Sequence, residues 1–321
     1  MKEFELIRQI QRETSVSYSA GFEHGVKLGI GDDAAVLEVP AGQHLVAATD
    51  TLNAGTHFPT DTSPFDIGYK CLAVNLSDLA AMGATPRWAL LSLSLPQADP
   101  EWVQLFSEGF RSLAAAHNVT LVGGDTTGGP LSISLTALGS VEPGKQLTRA
   151  GAKPGDLLVV SGTIGGAAHA LDRLLAGEPA IERDLLDRPQ PRVKLGLSLR
   201  GHASACIDIS DGLLADLGHV LKASGCGARL EIEKLPQSQE LKRLADDLKW
   251  RYQLSGGDDY ELLFTLPARH RAWLTNCSQQ LDIELTVIGE IEKEEGIRCF
   301  RKNGSLYLPQ DTGFEHFRSG Q

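Results

Sequence analysis

Asp208-Ile209-Ser210-Asp211-Gly212 is the stretch of this 321-residue chain that says most about its architecture. It ends an apolar, strand-like run over 205–209, and the amphipathic pattern over 213–224 that follows predicts a helix. A serine or aspartate before a helix is a common N-cap, but capping explains only one of these polar side chains. The stretch therefore predicts a strand, a turn and a helix that together carry a binding site.

Four further segments place aspartates at the exits of apolar, strand-like runs. They are Gly31-Asp32-Asp33, Ala48-Thr49-Asp50-Thr51, Gly123-Gly124-Asp125-Thr126-Thr127 and Ser255-Gly256-Gly257-Asp258-Asp259. If these carboxylates converge, their repulsion must be relieved, and hard divalent cations with oxygen ligands are the usual agent. The set predicts a magnesium site that handles phosphate. Taken singly, each segment is also typical of a surface turn, a cap or a solvated loop.

Asp78 lies within a helical pattern over 64–82 instead of at a strand exit. Ile67, Cys71, Val74 and Met82 form an apolar stripe, and Asp78 continues that stripe four residues after Val74. A carboxylate on a buried face is rarely tolerated without a partner or a metal ion. The alternative is a buried hydrogen bond to Asn75 or Ser77.

Two glycine-rich nucleotide motifs are excluded, and two other glycine segments stay open. Gly29-Ile30-Gly31-Asp32-Asp33-Ala34 has the spacing of a dinucleotide-binding fingerprint, but a strand pattern follows where that motif needs a helix. No P-loop sequence is present. The paired glycines before Asp125 suit close approach of backbone amides to phosphate, or a tight hairpin loop. Gly162-Thr163-Ile164-Gly165-Gly166 suits anion binding at a helix start, or close helix packing.

Composition favours a two-domain protein that does not bind nucleic acid or membranes. The chain is 42% hydrophobic, and its net charge of -11 argues against partners that need a basic face. The five cysteines form no C-x-x-C pair, so we expect buried, reduced thiols; they are Cys71, Cys206, Cys226, Cys277 and Cys299. No window of 18 uncharged apolar residues and no export signal is evident, which makes the cytoplasm the expected location.

The order of predicted elements is mixed, with strands following strands as well as helices. Strands are predicted at 36–39, 45–49, 88–95, 119–122, 131–139, 157–161, 205–209, 228–232 and 260–265, and helices at 64–82, 102–117, 166–175, 192–199, 213–224 and 239–250. This order favours an α+β fold with helices on one face of a sheet. The turn-rich segment 147–156 precedes a fresh strand, so we expect domains over 1–150 and 151–321.

Five of these motifs together resemble the thiamine-monophosphate kinase family. They occur in that family's order and are Thr49-Asp50, Asn75-Leu76-Ser77-Asp78-Leu79-Ala80-Ala81-Met82-Gly83-Ala84, Gly123-Gly124-Asp125-Thr126, Asp208-Ile209-Ser210-Asp211-Gly212 and Gly256-Gly257-Asp258-Asp259-Tyr260-Glu261. The resemblance runs from Gly29 to Phe314. It implies the two-domain fold shared with aminoimidazole ribonucleotide synthetase, in which an N-terminal mixed-sheet domain dimerises, a C-terminal domain is α/β, and ATP binds between them. It also implies a homodimer that uses ATP and several Mg²⁺ ions to convert thiamine monophosphate to thiamine diphosphate.

The resemblance also implies roles for individual residues. The metal ligands fall on Asp33, Ala48, Thr49, Asp50, Asp78, Asp125, Asp208 and Asp211. The ATP contacts fall on Gly124, Asp125, Arg149 and Ser210, and the thiamine-phosphate contacts on His57, Asp258 and Phe314. Ala48 can bind metal only through its backbone. Asp258 stands where the family often has glutamate, which shortens its reach, and the aromatic position at Phe314 varies among relatives.

The chemistry of the acceptor suggests how such an enzyme works. A phosphate monoester with a second pKa near 6 is already mostly ionised at neutral pH, so no general base is needed. No histidine or serine has a convincing nucleophile setting, and we expect direct in-line transfer assisted by Mg²⁺. The alternatives are a selenophosphate synthetase-like or hydrogenase-maturation relative, a metal-dependent phosphatase, and a nucleotide-binding regulator without turnover. Selenophosphate synthetases carry a reactive cysteine near the N-terminus, whereas Cys71 is the first cysteine here.

Overall fold

The computed structural model describes residues 3–14, 25–311 and 313. The chain divides into two compact units, the first ending at Gln146 and the second beginning at Leu147, with Ala80–Gly83 belonging to the second. This division lies close to the boundary expected at 150/151. Within the described ranges, no helix has both the length and the apolar character needed to cross a membrane.

The described part of the first unit contains three helices and six strands. They are α1 (Glu3–Thr14), β1 (Val26–Leu28), β2 (Val36–Leu37), β3 (His44–Asn53), α2 (Pro64–Ala81), β4 (Thr85–Leu95), α3 (Pro100–His117), β5 (Thr120–Gly128) and β6 (Ser132–Val141). Four strands form a sheet in the order β3-β6-β4-β5, in which β4 and β5 are parallel and the other pairs antiparallel. β1 and β2 pair as an antiparallel hairpin, so a strand follows the segment that mimics a dinucleotide fingerprint, as expected, and a strand that was not predicted precedes it.

Helices lie on one face of the four-stranded sheet. Leu79 of α2 contacts Gly139 of β6, and α3 crosses α2 where two glycines let the helix backbones meet. A Cβ atom at Gly68 would lie 2.0 Å from the Phe106 carbonyl oxygen, and one at Gly109 would lie 1.9 Å from that of Phe65. From Ile67 to Ser77 every residue of α2 is buried, so the helix is enclosed on all sides instead of along a single stripe.

The opposite face of the sheet is not covered within this unit. Leu45, Ala47, Thr49 and Thr51 alternate along β3 and are all exposed. Leu45 retains 52% of its accessible surface. Within this unit one face of the sheet is thus left open along β3.

The described part of the second unit contains six helices and seven strands. They are β7 (Asp156–Ser161), α4 (Gly166–Leu175), α5 (Arg183–Asp187), α6 (Val193–Leu199), β8 (Ala205–Asp208), α7 (Leu213–Ser224), β9 (Gly227–Glu231), α8 (Asp246–Ser255), β10 (Leu262–Pro267), α9 (Arg271–Leu281), β11 (Leu285–Glu292), β12 (Gly296–Phe300) and β13 (Leu306–Tyr307). All seven strands form one sheet in the order β13-β12-β9-β11-β7-β10-β8. Only the β9–β12 pair of this sheet is parallel.

The central strands of the second sheet are buried on both faces. Leu158 and Val160 of β7 join a cluster with Leu217 of α7 and Trp250 of α8. Leu157 and Val159 point to the opposite face and are also buried. Helices thus lie on one face of the first sheet, whereas the near-continuous apolar strands of the second sheet are buried on both sides.

The helix expected over 239–250 is partly wrong. Residues 241–243 form one 3-10 turn, Leu244 and Ala245 are extended, and α8 runs from Asp246 to Ser255. The carboxylate of Glu182 accepts the N–H groups of Gln239 and Glu240, which holds this segment against α5 instead of in a longer helix. The expectation for the cysteines is confirmed, because all five are buried free thiols.

Candidate functional site

In the first unit, the carboxyl groups of Asp50 and Asp78 meet between β3 and α2. The two side chains are hydrogen-bonded, and burial raises the pKa of Asp50, against the lowering effects of that hydrogen bond and of nearby His57. Asp78 thus has a second carboxyl group as a partner, while the Asn75 amide considered from the sequence donates to the Cys71 carbonyl oxygen. Two carboxylates held together and partly buried favour a shared proton or a cation.

His57 stands beside this pair, at the end of the turn that follows β3. Its Nδ1 accepts the N–H of Asn53 at 3.0 Å, so a neutral ring carries its proton on Nε2. Lys70 of α2 is 1% exposed, and its ammonium donates to the carbonyl oxygen of His57 at 3.1 Å. A buried lysine therefore fixes the backbone from which this predicted substrate contact projects.

The two predicted ligands that precede Asp50 lie along the same strand. The hydroxyl of Thr49 donates to the carbonyl oxygen of Leu135 at 3.1 Å and accepts from Thr136 at 3.0 Å. Its side chain is thus engaged on the uncovered face of the sheet, whereas Asp50 points to the helix-covered face. Ala48 is half-buried and, as expected, offers only backbone atoms.

Asp125 and Asp33 do not join the Asp50–Asp78 pair. Strand register aligns Asp125 with Ser92, Ser134 and Thr51, on the uncovered face of the sheet. β3 and β5 are opposite edges of the sheet, separated by about 14 Å at ordinary strand spacing. Asp33 is exposed beside Asp32 on the β1–β2 turn. Within this unit these aspartates thus lie on both faces of one sheet and on a separate turn, and their assignment to one metal site stays a prediction.

Gly124 lets the backbones of β4 and β5 approach each other closely next to Asp125. Its φ is +147°, and a Cβ atom would lie 1.8 Å from the Leu91 carbonyl oxygen. We expect Gly124→Ala to cost about 3 kcal/mol or more of the free energy of unfolding, measured by urea denaturation, because backbone must move. Gly128→Ala in the same strand is the control, since nothing lies within 4 Å of its added methyl group. Equal stability of the two variants would contradict this interpretation.

In the second unit, the side chain of Asp216 on α7 accepts hydrogen bonds from the backbone of the stretch from Asp208 to Gly212. Its Oδ2 accepts the N–H groups of Ser210, Asp211 and Gly212 at 3.1, 3.1 and 3.2 Å. Burial raises the pKa of Asp216 to about 7, with Asp208 and Asp211 adding to the shift and the hydrogen bonds opposing it. Asp208 is buried at the end of β8, while Ser210 and Asp211 are half-buried.

The raised pKa of Asp216 predicts a pH dependence of stability. Folded protein binds this proton more tightly than unfolded protein, so the stabilisation is fully present below about pH 4 and is lost as pH rises through about 7. Between pH 4 and 8 the free energy of unfolding of the wild type should fall by about 2–4 kcal/mol more than that of Asp216→Asn. Urea denaturation of metal-free protein in chelator measures this difference. Identical pH dependence in wild type and variant would contradict the assignment.

The segment Gly256–Glu261 packs on this stretch and is not a solvated loop. Asp258 and Tyr260 donate their N–H groups to the carbonyl oxygens of Ser210 and Ile209 at 2.9 and 2.8 Å. Both residues adopt left-handed backbone conformations, with φ of 67° and 50°. Strain of this kind persists where surrounding contacts fix it, often at functional sites. The hydroxyl of Tyr260 donates to Asp258 Oδ1 at 3.1 Å, which orients the predicted substrate contact.

Asp259 occupies the start of α4, where the sequence left an anion site open. Both of its carboxylate oxygens accept the N–H of Gly165, at 2.9 and 2.8 Å. Burial raises the pKa of Asp259, and neighbouring Glu261 and Asp258 contribute, against the hydrogen bonds from Gly165 and Ala167. The chain's own carboxylate thus fills the position that a bound anion would take.

Glu261 forms a buried ion pair with Arg192, which precedes α6. Arg192 Nε donates to Glu261 Oε2 at 2.6 Å, and Arg192 Nη2 donates to Glu261 Oε1. Ser161 of β7 donates to the same carboxylate at 2.5 Å. Burial lowers the pKa of Arg192, but its hydrogen bond and charge pairing with Glu261 give a net increase.

Arg149 and Phe314 are the two remaining predicted contacts. Arg149 is exposed, and its carbonyl oxygen accepts the hydroxyl of Ser224 at 3.3 Å. Phe314 lies outside the described residues.

The oxygen-rich donor set fits Mg²⁺ better than a transition metal. Within the described residues no cluster of three or more His, Cys, Asp and Glu side chains has the geometry of a complete metal site. Mg²⁺ is commonly held by one or two carboxylates, with substrate phosphates and water supplying the other ligands. The Asp50–Asp78 pair has the composition of such a partial site.

Two of the residues that shape these sites, Asp216 and Arg192, were missed from the sequence. Asp216 carried a usable signal, since it follows Leu213 by three residues on the apolar face of α7, much as Asp78 follows Val74 by four. Arg192 carried none, because its partner Glu261 is 69 residues away and the two meet only in the fold.

Models of the AIR synthase related proteins match most of the chain. The N-terminal domain model matches residues 31–141 and the C-terminal domain model residues 153–302. The thiamine-monophosphate kinase of Salmonella typhimurium is 46% identical over 303 residues, covering 91% of this chain and 92% of that protein. These matches cover both units.

Solved structures show the same relationship. The thiamine-monophosphate kinase of Stenotrophomonas maltophilia aligns with a TM-score of 0.86 and 47% identity, covering 93% of this chain and 96% of that one. The structure named "AaThiL complexed with AMPPCP and TMP" aligns with a TM-score of 0.74 and 32% identity, covering 98% and 97%. The hydrogenase maturation protein HypE of E. coli shares only the fold, at 19% identity and a TM-score of 0.74. The chain therefore belongs to the thiamine-monophosphate kinase family of phosphotransferases, within the AIR synthase related proteins.

Proposed function

We propose that this chain transfers the γ-phosphoryl group of ATP directly to thiamine monophosphate, giving ADP and thiamine diphosphate with the assistance of Mg²⁺. The observation that carries the proposal is the Asp50–Asp78 pair, a partly buried pair of oxygen donors in a chain of this family. A relative whose structure is named as a complex with AMPPCP and TMP supports the choice of nucleotide and acceptor.

The obstacle in this reaction is the approach of one polyanion to another. The acceptor phosphate is mostly ionised at neutral pH, so the chain needs no general base to activate it. Bound Mg²⁺ would neutralise phosphate charge and stabilise the charge of the transferring group. The residues proposed to hold Mg²⁺ are Asp33, Ala48, Thr49, Asp50, Asp78, Asp125, Asp208 and Asp211. The work of the chain is thus to position the reactants and to hold the cations.

Other residues are proposed to contact ATP and the acceptor. Gly124, Asp125, Arg149 and Ser210 would contact ATP, and His57, Asp258 and Phe314 would contact thiamine monophosphate. The protonated Nε2 of a neutral His57 suits a phosphate oxygen. Asp258, oriented by Tyr260, suits the positively charged thiazolium ring. An aromatic side chain at 314 would add a cation–π contact.

We also propose that the protein is a homodimer and acts in the cytoplasm. The uncovered face of the first sheet supports a dimer, because Leu45, Ala47, Thr49 and Thr51 leave one side of the sheet exposed. Five buried free thiols support a reducing compartment. Sedimentation equilibrium should give twice the mass of the chain, and a monomer at all concentrations would contradict the dimer.

A product assay tests the proposed reaction against its alternatives. The protein is incubated with ATP, Mg²⁺ and thiamine monophosphate, and the products are separated by chromatography. We expect thiamine diphosphate and ADP in equal amounts. Inorganic phosphate released without thiamine diphosphate would indicate a phosphatase, and bound ATP without ADP formation would indicate a regulator. Phosphorylated protein isolated during turnover would contradict direct transfer.

A further inference from the structure

Asp216 is a buried carboxylate to which neither the family resemblance nor the proposed reaction gives a role. It is 3% exposed and lies in the first turn of α7. One of its oxygens, Oδ2, accepts three consecutive backbone N–H groups, from Ser210, Asp211 and Gly212. These amides precede the helix, so the carboxylate folds back toward the turn from inside the helix.

Three successive N–H groups that converge on one point form a concavity that ordinarily attracts an anion. Here that point is occupied by a side chain of the same chain, so the amides of the turn are not available to a phosphate group. Anionic ligands at this turn would then depend on cations and side chains instead of on backbone amides. Asp216 thereby fixes the backbone conformation of the turn that carries the predicted ligands Asp208 and Asp211.

Backbone hydrogen bonds from the segment 256–261 also hold this turn. The carbonyl oxygens of Ile209 and Ser210 accept N–H groups from Tyr260 and Asp258, and the N–H of Ile209 donates to the Glu261 carbonyl oxygen. A Cβ atom at Gly257 would lie 2.5 Å from the Ser210 carbonyl oxygen, so the approach is close. The segment 256–261 therefore binds the carbonyl side of the turn, and Asp216 binds its amide side.

We propose that Asp216 is a positioning residue that fixes the Ser210–Gly212 backbone and thereby sets where Asp208, Ser210 and Asp211 present their oxygen atoms to a divalent cation and nucleotide phosphate. The proposal rests on the proposed function for the identity of those ligands. Partners that orient metal ligands without touching the metal commonly change metal affinity or activity 10- to 100-fold when removed.

The test compares Asp216 with a buried carboxylate elsewhere in the same unit. Asp156 is 6% exposed, and its Oδ2 accepts the N–H of Lys153 at 3.0 Å and the hydroxyl of Ser204 at 2.5 Å. Asp216→Asn keeps an oxygen that can accept the three N–H groups but removes the charge, and Asp216→Ala removes the acceptor. Asp156→Asn is the matched control for loss of a buried structural carboxylate.

Two readouts separate positioning from stability. The first is binding of Mn²⁺, used as the probe ion without substrates and followed by electron paramagnetic resonance. The second is the Mg²⁺ concentration for half-maximal rate, compared with the KM for thiamine monophosphate. We expect the Mn²⁺ dissociation constant to rise about 10-fold in Asp216→Asn and about 100-fold in Asp216→Ala, with the Mg²⁺ requirement rising in step. Asp156→Asn should lower the thermal midpoint without changing either constant.

Wild-type Mn²⁺ affinity in Asp216→Asn, or an equal loss of affinity in Asp156→Asn, would overturn the proposal. If Asp216→Ala does not fold, the Asn variant decides the question. Absence of thiamine diphosphate in the wild-type reaction would contradict the proposed function, while the Mn²⁺ measurement would still decide the role of Asp216.

Discussion

Asp78→Asn is expected to lower kcat/KM for thiamine diphosphate formation about 1000-fold while making the metal-free protein more stable. The loss corresponds to about 4 kcal/mol, the scale of charge stabilisation that a catalytic metal supplies. The gain in stability follows because the amide relieves the crowding of two carboxyl groups in the Asp50–Asp78 pair. Steady-state kinetics and thermal unfolding in chelator measure the two effects.

A control on the same helix distinguishes this effect from general damage to α2. Ser63 caps the start of the helix, where its hydroxyl accepts the Asp66 N–H at 3.1 Å and donates to Asp66 Oδ2 at 2.7 Å. Asp66→Asn should cost about 0.5–1 kcal/mol of stability and leave kcat/KM within about twofold of wild type. An Asp78→Asn enzyme that is active, or that is less stable than wild type in chelator, would contradict a metal-binding role for the pair.

Arg192→Leu is expected to lower the free energy of unfolding of the second unit by about 3–5 kcal/mol. The arginine side chain is 21% exposed and that of Glu261 only 8%, so the variant leaves a buried carboxylate without its cation. Urea denaturation measures the loss. The double variant Arg192→Leu/Glu261→Leu should recover part of it, because replacing both charges removes the unpaired one.

An exposed arginine provides the comparison for this ion pair. Arg173 pairs with Glu178, and the two side chains retain 41% and 52% of their surface. Arg173→Leu should change stability by less than about 1 kcal/mol, as exposed pairs usually do. If Arg173→Leu and Arg192→Leu were equally destabilising, burial would not be the reason that the Glu261 pair matters.

The sequence predicts the helices of the fold well where apolar residues recur with helical spacing. Periodicity predicted α2, α3 and α7, and the same periodicity made Asp78 conspicuous as a carboxylate on a buried helix. Asp216 was accessible to the identical argument, since it lies beside Leu217 on the apolar face of α7.

The order of strands in the first sheet could not be predicted from strand exits. Asp50 and Asp125 each follow an apolar run, and their motifs look alike in the sequence. The sheet places β3 and β5 at opposite edges and turns the two side chains to opposite faces. Strand order depends on contacts between distant segments, which local hydrophobic patterns do not encode. The same limitation hid the Arg192–Glu261 pair and the binding of Asp259 to the start of α4.

The partition of a radioactive γ-phosphoryl group tests the central claim most directly. Wild-type protein is incubated with γ-labelled ATP and thiamine monophosphate, with Mg²⁺ or with chelator, and label is counted in thiamine diphosphate, inorganic phosphate and protein. We expect one label in thiamine diphosphate for each ADP formed with Mg²⁺, and none with chelator. Label recovered in protein or in inorganic phosphate, or undiminished transfer in chelator, would contradict direct transfer between substrates held with Mg²⁺.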